Sequence, residues 1–190
     1  MIKLTSFIVI LITCLVITAC VTDGSKEGKN VETSTPKRKA NTSELAQRLY
    51  QNFHDNPVHQ WQKEENLLID YAMDKNLDVT RTESGLYYLI TKEGKGPNYI
   101  QGQPCRANYK GYTLDGKIFD SSFKRNKPIG FNVGGMIAGW NEAIKLMNTG
   151  SAATLLIPSR LAYGEKGFPG AIAPNTPLVF EMEIVPLTDK

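Results

Sequence analysis

The sequence predicts an α+β fold for its C-terminal half, an antiparallel sheet packed on one short helix, with a helical segment in front of it. Three features carry that prediction. Polarity alternates with period two from Gly85 onward, one stretch between Gly139 and Met147 switches to a helical period, and Asp115-Gly116 separates two strand-like runs. A single amphipathic helix against an antiparallel sheet is an α+β arrangement, and residues 85–188 make a domain of common size.

Residues 43–78 read as the helical segment. Thr42 or Ser43 can cap a first helix running through Leu45, Leu49 and Phe53. Asn56-Pro57 ends it, because the residue before a proline is pushed out of the α region. Val58 then starts a second helix, with Trp61, Leu68 and Ala72 expected on one face and Glu64 and Glu65 opposite. The pattern leaves open whether these helices pack on the folded domain or pair with a second copy, so a dimer through residues 43–78 is one of two arrangements. His54 and His59, five apart across the break, are too few and badly spaced for a metal site.

Within the domain, Asp115-Gly116 predicts a type I′ hairpin turn, since both residues tolerate φ > 0. Tyr109 and Phe119 then fall on neighbouring strands, and Asp120 lies beside an aromatic just past the turn. A carboxylate in such surroundings needs partners, because an apolar core gains nothing from an unpaired charge. Trp140, Ile144 and Met147 recur at spacings of four and three, as one face of a helix does. Ser151 to Ile157 is an apolar strand stopped by Pro158. On the last strand Leu178, Phe180, Met182 and Ile184 point one way, and Glu181 and Glu183 the other.

The first 42 residues read as processing signal and linker. Lys3 precedes an apolar run from Leu4 to Ile17, short of the roughly 20 apolar residues that cross a bilayer. Ile17-Thr18-Ala19-Cys20 resembles the lipobox of bacterial lipoproteins, in which the cysteine sulfur takes a diacylglycerol and the amine freed by cleavage is acylated. Residues 1–19 are therefore expected to be a lipoprotein signal peptide, Cys20 the lipidated first residue of the mature chain, and residues 20–42 a flexible tether. Such a protein sits in the cell envelope, anchored to a membrane by lipid and facing the periplasm. Val21, in place of the Asp that holds some lipoproteins at the inner membrane, leans toward the outer one.

Of the three cysteines, Cys14 leaves with the signal and Cys20 takes lipid, so no intramolecular disulfide is expected and Cys105 should be a small buried apolar residue. Lys37-Arg38-Lys39 lies in the tether and reads as solvated. A formal net charge of +3, with no basic stripe interleaved with aromatics, gives nucleic-acid binding no support.

Tyr109-Lys110-Gly111, Asp115-Gly116, Phe119-Asp120-Ser121-Ser122, Gly139-Trp140, Ala162-Tyr163-Gly164 and Pro177-Leu178-Val179-Phe180-Glu181 fall in one order along residues 85–187. In that order and spacing they resemble the FKBP-type peptidyl-prolyl cis-trans isomerases. The resemblance implies a twisted antiparallel sheet wrapped around one short helix, with a proline-ring pocket between them and neither metal nor cofactor. It implies catalytic roles for Asp120, Tyr163, Phe119 and Tyr109. Phe131, Met136, Ile137, Trp140, Ile172, Phe180, Phe168 and Arg125 would bind substrate, Trp140 as the floor, with Tyr163 and the Ile137 N–H hydrogen-bonding the substrate backbone. Each aromatic taken singly could be core filling; Asp120 is what tips the balance toward a site.

Some positions depart from the family pattern. Ile129 stands where an aromatic is common, and Phe168 where the best-known member has a histidine. The stretch from Phe131 to Trp140 is two residues shorter than in that member, and Arg160-Leu161 replaces an Asp-aromatic pair. These changes are expected to alter the preference for the residue before proline more than the chemistry. Lys166 to Gly170 is expected to form a flap over the cleft. The partners implied are proline-containing unfolded or nascent exported polypeptides. The competing function is a noncatalytic peptide-binding module or holdase, attached to motility or secretion machinery.

Overall fold

A computed structural model describes residues 42–187. The expected signal peptide, Cys20 and the tether through residue 41 lie outside the described residues. Two helices, α1 (Thr42–Tyr50) and α2 (Gln60–Asp74), precede the strands β1 (Thr80–Arg81), β2 (Tyr87–Lys92), β3 (Pro104–Thr113), β4 (Ile118–Ser121) and β5 (Ile129–Asn132). Helix α3 (Ala138–Ile144), β6 (Ala152–Ile157), two 3-10 turns (Ser159–Leu161 and Gly164–Lys166) and β7 (Leu178–Ile184) complete the chain. All strand pairs are antiparallel, in the order β1-β2-β6-β7-β3-β4, with β5 on the other half of β3.

The strand alternation sorts side chains into two cores. Leu155 and Ile157 on β6, and Leu178, Phe180, Met182 and Ile184 on β7, face α3 and bury Trp140, Ile144 and Met147 beneath them. Leu156 and Val179, one residue out of phase, face the opposite side and pack against Leu45, Leu49, Leu68, Ile69 and Ala72 of the N-terminal helices. The helices therefore dock on the back of the sheet, one of the two arrangements that the sequence leaves open. The outer face of β7 is polar from Glu181 onward, where helix cover ends.

Helix α1 stops at Tyr50, three residues before Phe53, and closes with turns from Asn52 to Leu49 and from Phe53 to Tyr50. Helix α2 corrects the expected placement of its glutamates. Glu64 and Glu65 are 2% and 4% exposed, while Trp61 is 43% exposed. Residues 61, 64, 65, 68 and 72 share one helical face, so the carboxylates go in with Leu68 and Ala72. Burial of two charges is tolerable because both are met. Glu65 accepts from Arg81 Nε at 2.6 Å and Tyr87 Oη at 3.1 Å, and meets His54 Nε2 at 3.0 Å. Burial alone raises the Glu65 pKa, but Arg81, His54 and Tyr87 outweigh it and hold the carboxyl below its ordinary value.

The Asp115-Gly116 turn is also not type I′. Only Gly116 has positive φ, at 88°; its N–H bonds to Thr113 O at 2.8 Å while Thr113 N–H bonds to Lys117 O at 3.1 Å. This is a three-residue loop with a left-handed glycine at its end, and it still sets β3 beside β4.

At Gly139 an added Cβ meets Ile157 Cγ2 at 2.6 Å, so the glycine lets α3 sit directly on β6. Gly139→Ala is expected to lower stability by about 1–3 kcal/mol through overpacking. A urea midpoint equal to wild type counts against that tight seating.

Candidate active site

Strand β3 presents Tyr109 and Gly111 toward α3, two residues apart on one face. A Cβ on Gly111 meets Phe119 Cζ at 2.6 Å and Phe180 Cε1 at 2.7 Å, so the glycine makes room for two rings to meet across the strand. On β4 the register runs from Gly111↔Asp120 to Tyr112↔Ile118, leaving Phe119 as an extra, bulged residue. A bulge breaks alternation. It is why the consecutive residues Phe119 and Asp120 both line the same cavity.

That cavity has a volume of about 190 Å³ and is lined by Tyr109, Phe119, Asp120, Ile129, Met136, Ile137, Trp140, Tyr163 and Phe180. Trp140 lies 2% exposed at its base, edge-on to Tyr109 (5.0 Å between ring centres, 80°) and to Phe180 (5.2 Å, 82°). Phe119 meets Phe180 in the same way at 5.6 Å. Such edge-to-face rings fix one another in orientation and form a rigid apolar box. The Trp140 indole N–H is buried without a hydrogen-bond partner among the described residues. Asn141 holds the approach to α3, accepting from the Gly134 and Met136 N–H groups at 2.8 and 3.2 Å.

One wall of the box is charged. Asp120 Oδ2 accepts the Tyr109 hydroxyl, and Oδ1 accepts Arg125 Nη1 in short contacts and the Ser121 N–H at 2.7 Å. Arg125 Nη2 also donates to the Tyr109 oxygen at 2.9 Å, with the guanidinium 5.7 Å from that ring's centre. Burial raises the Asp120 pKa, but Tyr109, Arg125 and the Ser121 N–H outweigh it and hold the group below the usual carboxylate value. Asp120 is thus ionised and immobilised. It is no proton donor at neutral pH. Burial, with the Asp120 charge nearby, pushes the Tyr163 hydroxyl up, so Tyr163 keeps its proton and can donate it in a hydrogen bond.

Four residues that the resemblance places in the pocket lie outside this lining. Phe131 backs Trp140 with ring centres 5.8 Å apart, and Ile172 is buried in the core at 6% exposure. Phe168 stands at the surface against Tyr163, 5.6 Å between centres, and Arg125 reaches Asp120 from the rim. The loop that carries Phe168 is closed by paired bonds between Phe168 and Ile172, each 2.8 Å. Ile129, which stands where the family commonly has an aromatic, also lines the cavity.

Cys105 is buried on β3, and burial pushes its thiol up to about 11, as a structural rather than reactive cysteine requires. His54 turns to Glu65, whereas His59 stacks on Trp61. Among the described residues no group of His, Cys, Asp and Glu could hold a metal ion, and no helix is long and apolar enough to cross a membrane. Two clefts of about 340 and 330 Å³ exist elsewhere, but neither combines an apolar box with an immobilised charge.

The family described as FKBP-type peptidyl-prolyl cis-trans isomerase matches residues 96–185. The FKBP-type 22 kDa peptidyl-prolyl cis-trans isomerase of Escherichia coli (strain K12) is 43% identical over 58% of this chain and 54% of its own length. Among solved structures, a peptidyl-prolyl cis-trans isomerase from Pseudomonas syringae pv. tomato is 31% identical with a TM-score of 0.60, over 72% of this chain and 99% of that one. FkpA from Escherichia coli is 34% identical with a TM-score of 0.61, over 76% of this chain and 64% of that one. The chain spans about half the length of the curated relatives it matches.

Proposed function

Since the chain belongs to the FKBP-type peptidyl-prolyl cis-trans isomerase family, we propose that its aromatic cavity binds a proline ring and speeds rotation about the preceding peptide bond. The observation that carries this is an ionised, fully partnered Asp120 set in the wall of an aromatic box. The bond to be turned has a barrier of roughly 18–20 kcal/mol, which makes uncatalysed isomerisation take tens to hundreds of seconds. The barrier is amide resonance, whose charge-separated form water stabilises at the carbonyl oxygen. Moving the amide into an apolar box removes that water. The twisted state, with little charge separation, loses less by the transfer, so the barrier falls.

Each residue then has a task that needs no proton transfer. Trp140, Tyr109, Phe119 and Phe180 seat the ring, with Phe131 stiffening Trp140 from behind. Tyr163 donates to a substrate backbone carbonyl, and the Ile137 N–H binds another; Met136 and Ile129 close the sides. Asp120, with Arg125 holding it, presents a fixed negative field to the carbonyl carbon as the amide twists. Phe168, its loop held by the paired bonds to the buried Ile172, shapes the rim against the residue before proline.

Residues 1–19 are proposed to be a lipoprotein signal peptide, with Cys20 lipidated and the chain held at an envelope membrane, acting on exported polypeptides. Support comes from the lipobox-like Ile17-Thr18-Ala19-Cys20. A detergent-extracted protein is expected to show a mass increment of acyl chains on Cys20; an unmodified mature N-terminus overturns the anchor.

For the enzyme, the test is refolding of a proline-limited substrate. The chain is expected to accelerate the slow phase at substoichiometric concentration. If an established isomerase speeds that phase and this chain does not, the catalytic function is lost and a peptide-gripping role remains.

A further inference from the structure

Of the two buried glutamates on α2, Glu65 ties the helix to the sheet, whereas Glu64 reaches toward the candidate active site. Glu64 Oε2 accepts the Ser159 backbone N–H at 2.7 Å, and Oε1 accepts the Ser159 hydroxyl at 2.7 Å. Both groups are buried, Glu64 at 2% and Ser159 at 4% exposure. Gln60 Nε2 donates to Glu64 Oε1 at 3.0 Å and steadies the carboxylate.

Ser159 opens the first of two 3-10 turns, Ser159–Leu161 and Gly164–Lys166, and Tyr163 lies between them. The N–H at the start of such a turn has no partner within the turn, and Glu64 supplies one with a charge-assisted bond. The joining residue Ala162 has φ −122° and ψ −109°, and brings only a methyl group to hold the chain. The same turn is tied on its exposed side by Arg160, which donates to Ser84 O at 2.5 Å. The ring of Tyr163 is thus placed by a short segment whose buried end is fixed by a carboxylate from outside the isomerase domain.

Resting on the isomerase function proposed above, we propose that Glu64 is a positioning residue: the N-terminal helix, through this one carboxylate, sets where the Tyr163 hydroxyl meets the substrate carbonyl. Hydrogen bonds weaken steeply with misalignment, and small displacements of a substrate-orienting group cost rate out of proportion to their size. The helices on the back of the sheet are then part of the enzyme's working geometry.

The test is a double-mutant cycle in the full chain, reading kcat/KM on a proline peptide and the thermal midpoint together. Glu64→Gln keeps the shape of the side chain and loses its charge. It is expected to lower kcat/KM about tenfold in the wild-type background and less than twofold in a Tyr163→Phe background, while lowering the thermal midpoint equally in both. Ser159→Ala removes only the hydroxyl bond and is expected to repeat the pattern at about threefold, which keeps the test open should Glu64→Gln not fold. Equal proportional losses in both backgrounds overturn the proposal, since Glu64 then acts on the fold alone. An inactive wild type removes the isomerase function and this role with it; an active wild type with independent effects removes this role only.

Discussion

Asp120→Ala is expected to lower kcat/KM for a proline peptide at least about tenfold while leaving the fold intact. Hydrogen bonds to a charged group contribute about 1.5–3 kcal/mol, a factor of roughly 10 to 100 in rate if realised only at the transition state. The Asp120 side chain is 39% exposed, and solvent screens its interactions, so the lower end applies. Removing it leaves Arg125 above the Tyr109 ring with no carboxylate to neutralise it, and the wall of the box changes sign. Suppression of aggregation of an unfolded client should be unchanged. Full isomerase activity in Asp120→Ala would mean that the aromatic box alone catalyses.

The pH dependence follows from the same group. The folded carboxyl sits below its ordinary value of 3.8, so whatever ionised Asp120 contributes is present above the unfolded value and lost only as pH falls through the lowered one. Activity should therefore be flat from about pH 8 down to about pH 5. A limb near neutrality would assign the chemistry to some other titrating group.

Glu65→Ala is expected to destabilise the chain by about 3 kcal/mol, read as a shift in urea midpoint at constant slope. Three groups lose their acceptor together: the Arg81 guanidinium, the buried Tyr87 hydroxyl and His54. Removing one partner of a buried pair costs about 3–5 kcal/mol because the other charge stays behind. Arg81, 29% exposed, can recover some hydration, which puts the effect at the lower end. Because the Glu65 pKa is lowered from 4.5, its contribution is full above the unfolded value and disappears as pH falls through the lowered one. A midpoint like that of wild type would show that the network contributes specificity without stability.

What could be read from the sequence was what repeats. The period of two on β7 and the helical spacing of Trp140, Ile144 and Met147 each reflect one face meeting one core; β7 lies where its pattern places it, whereas α3 stops at Ile144 and Met147 reaches the same core from beyond its end. Charge at Glu64 and Glu65 points to solvent, yet their spacing from Leu68 and Ala72 puts them on the buried face. Their partners Ser159, Arg81 and Tyr87 come from distant parts of the chain, and no local pattern announces them. The docking of α1 and α2 was illegible for a related reason. An amphipathic helix records that one face is buried, not against what.

In the candidate site, the residue types were legible through motif order, and the structure brings Tyr109, Phe119, Asp120, Met136, Ile137, Trp140, Tyr163 and Phe180 around one cavity. How adjacent residues on a strand could both face it was not, because the bulge at Phe119 is a property of the pairing with β3. The difference between lining and backing, which separates Trp140 from Phe131, likewise depends on depth that no spacing encodes.

The chain's two tryptophans divide between its two halves. Trp140 is sealed at the cavity base among aromatic rings, whereas Trp61 stands half in water on α2, edge-on to His54 at 5.0 Å and stacked on His59 at 6.4 Å. A buried indole emits to the blue of a wetted one. The molecule thus carries two intrinsic optical reporters: a blue signal that answers to occupancy of the cavity, and a red one that answers to the seating of the helix.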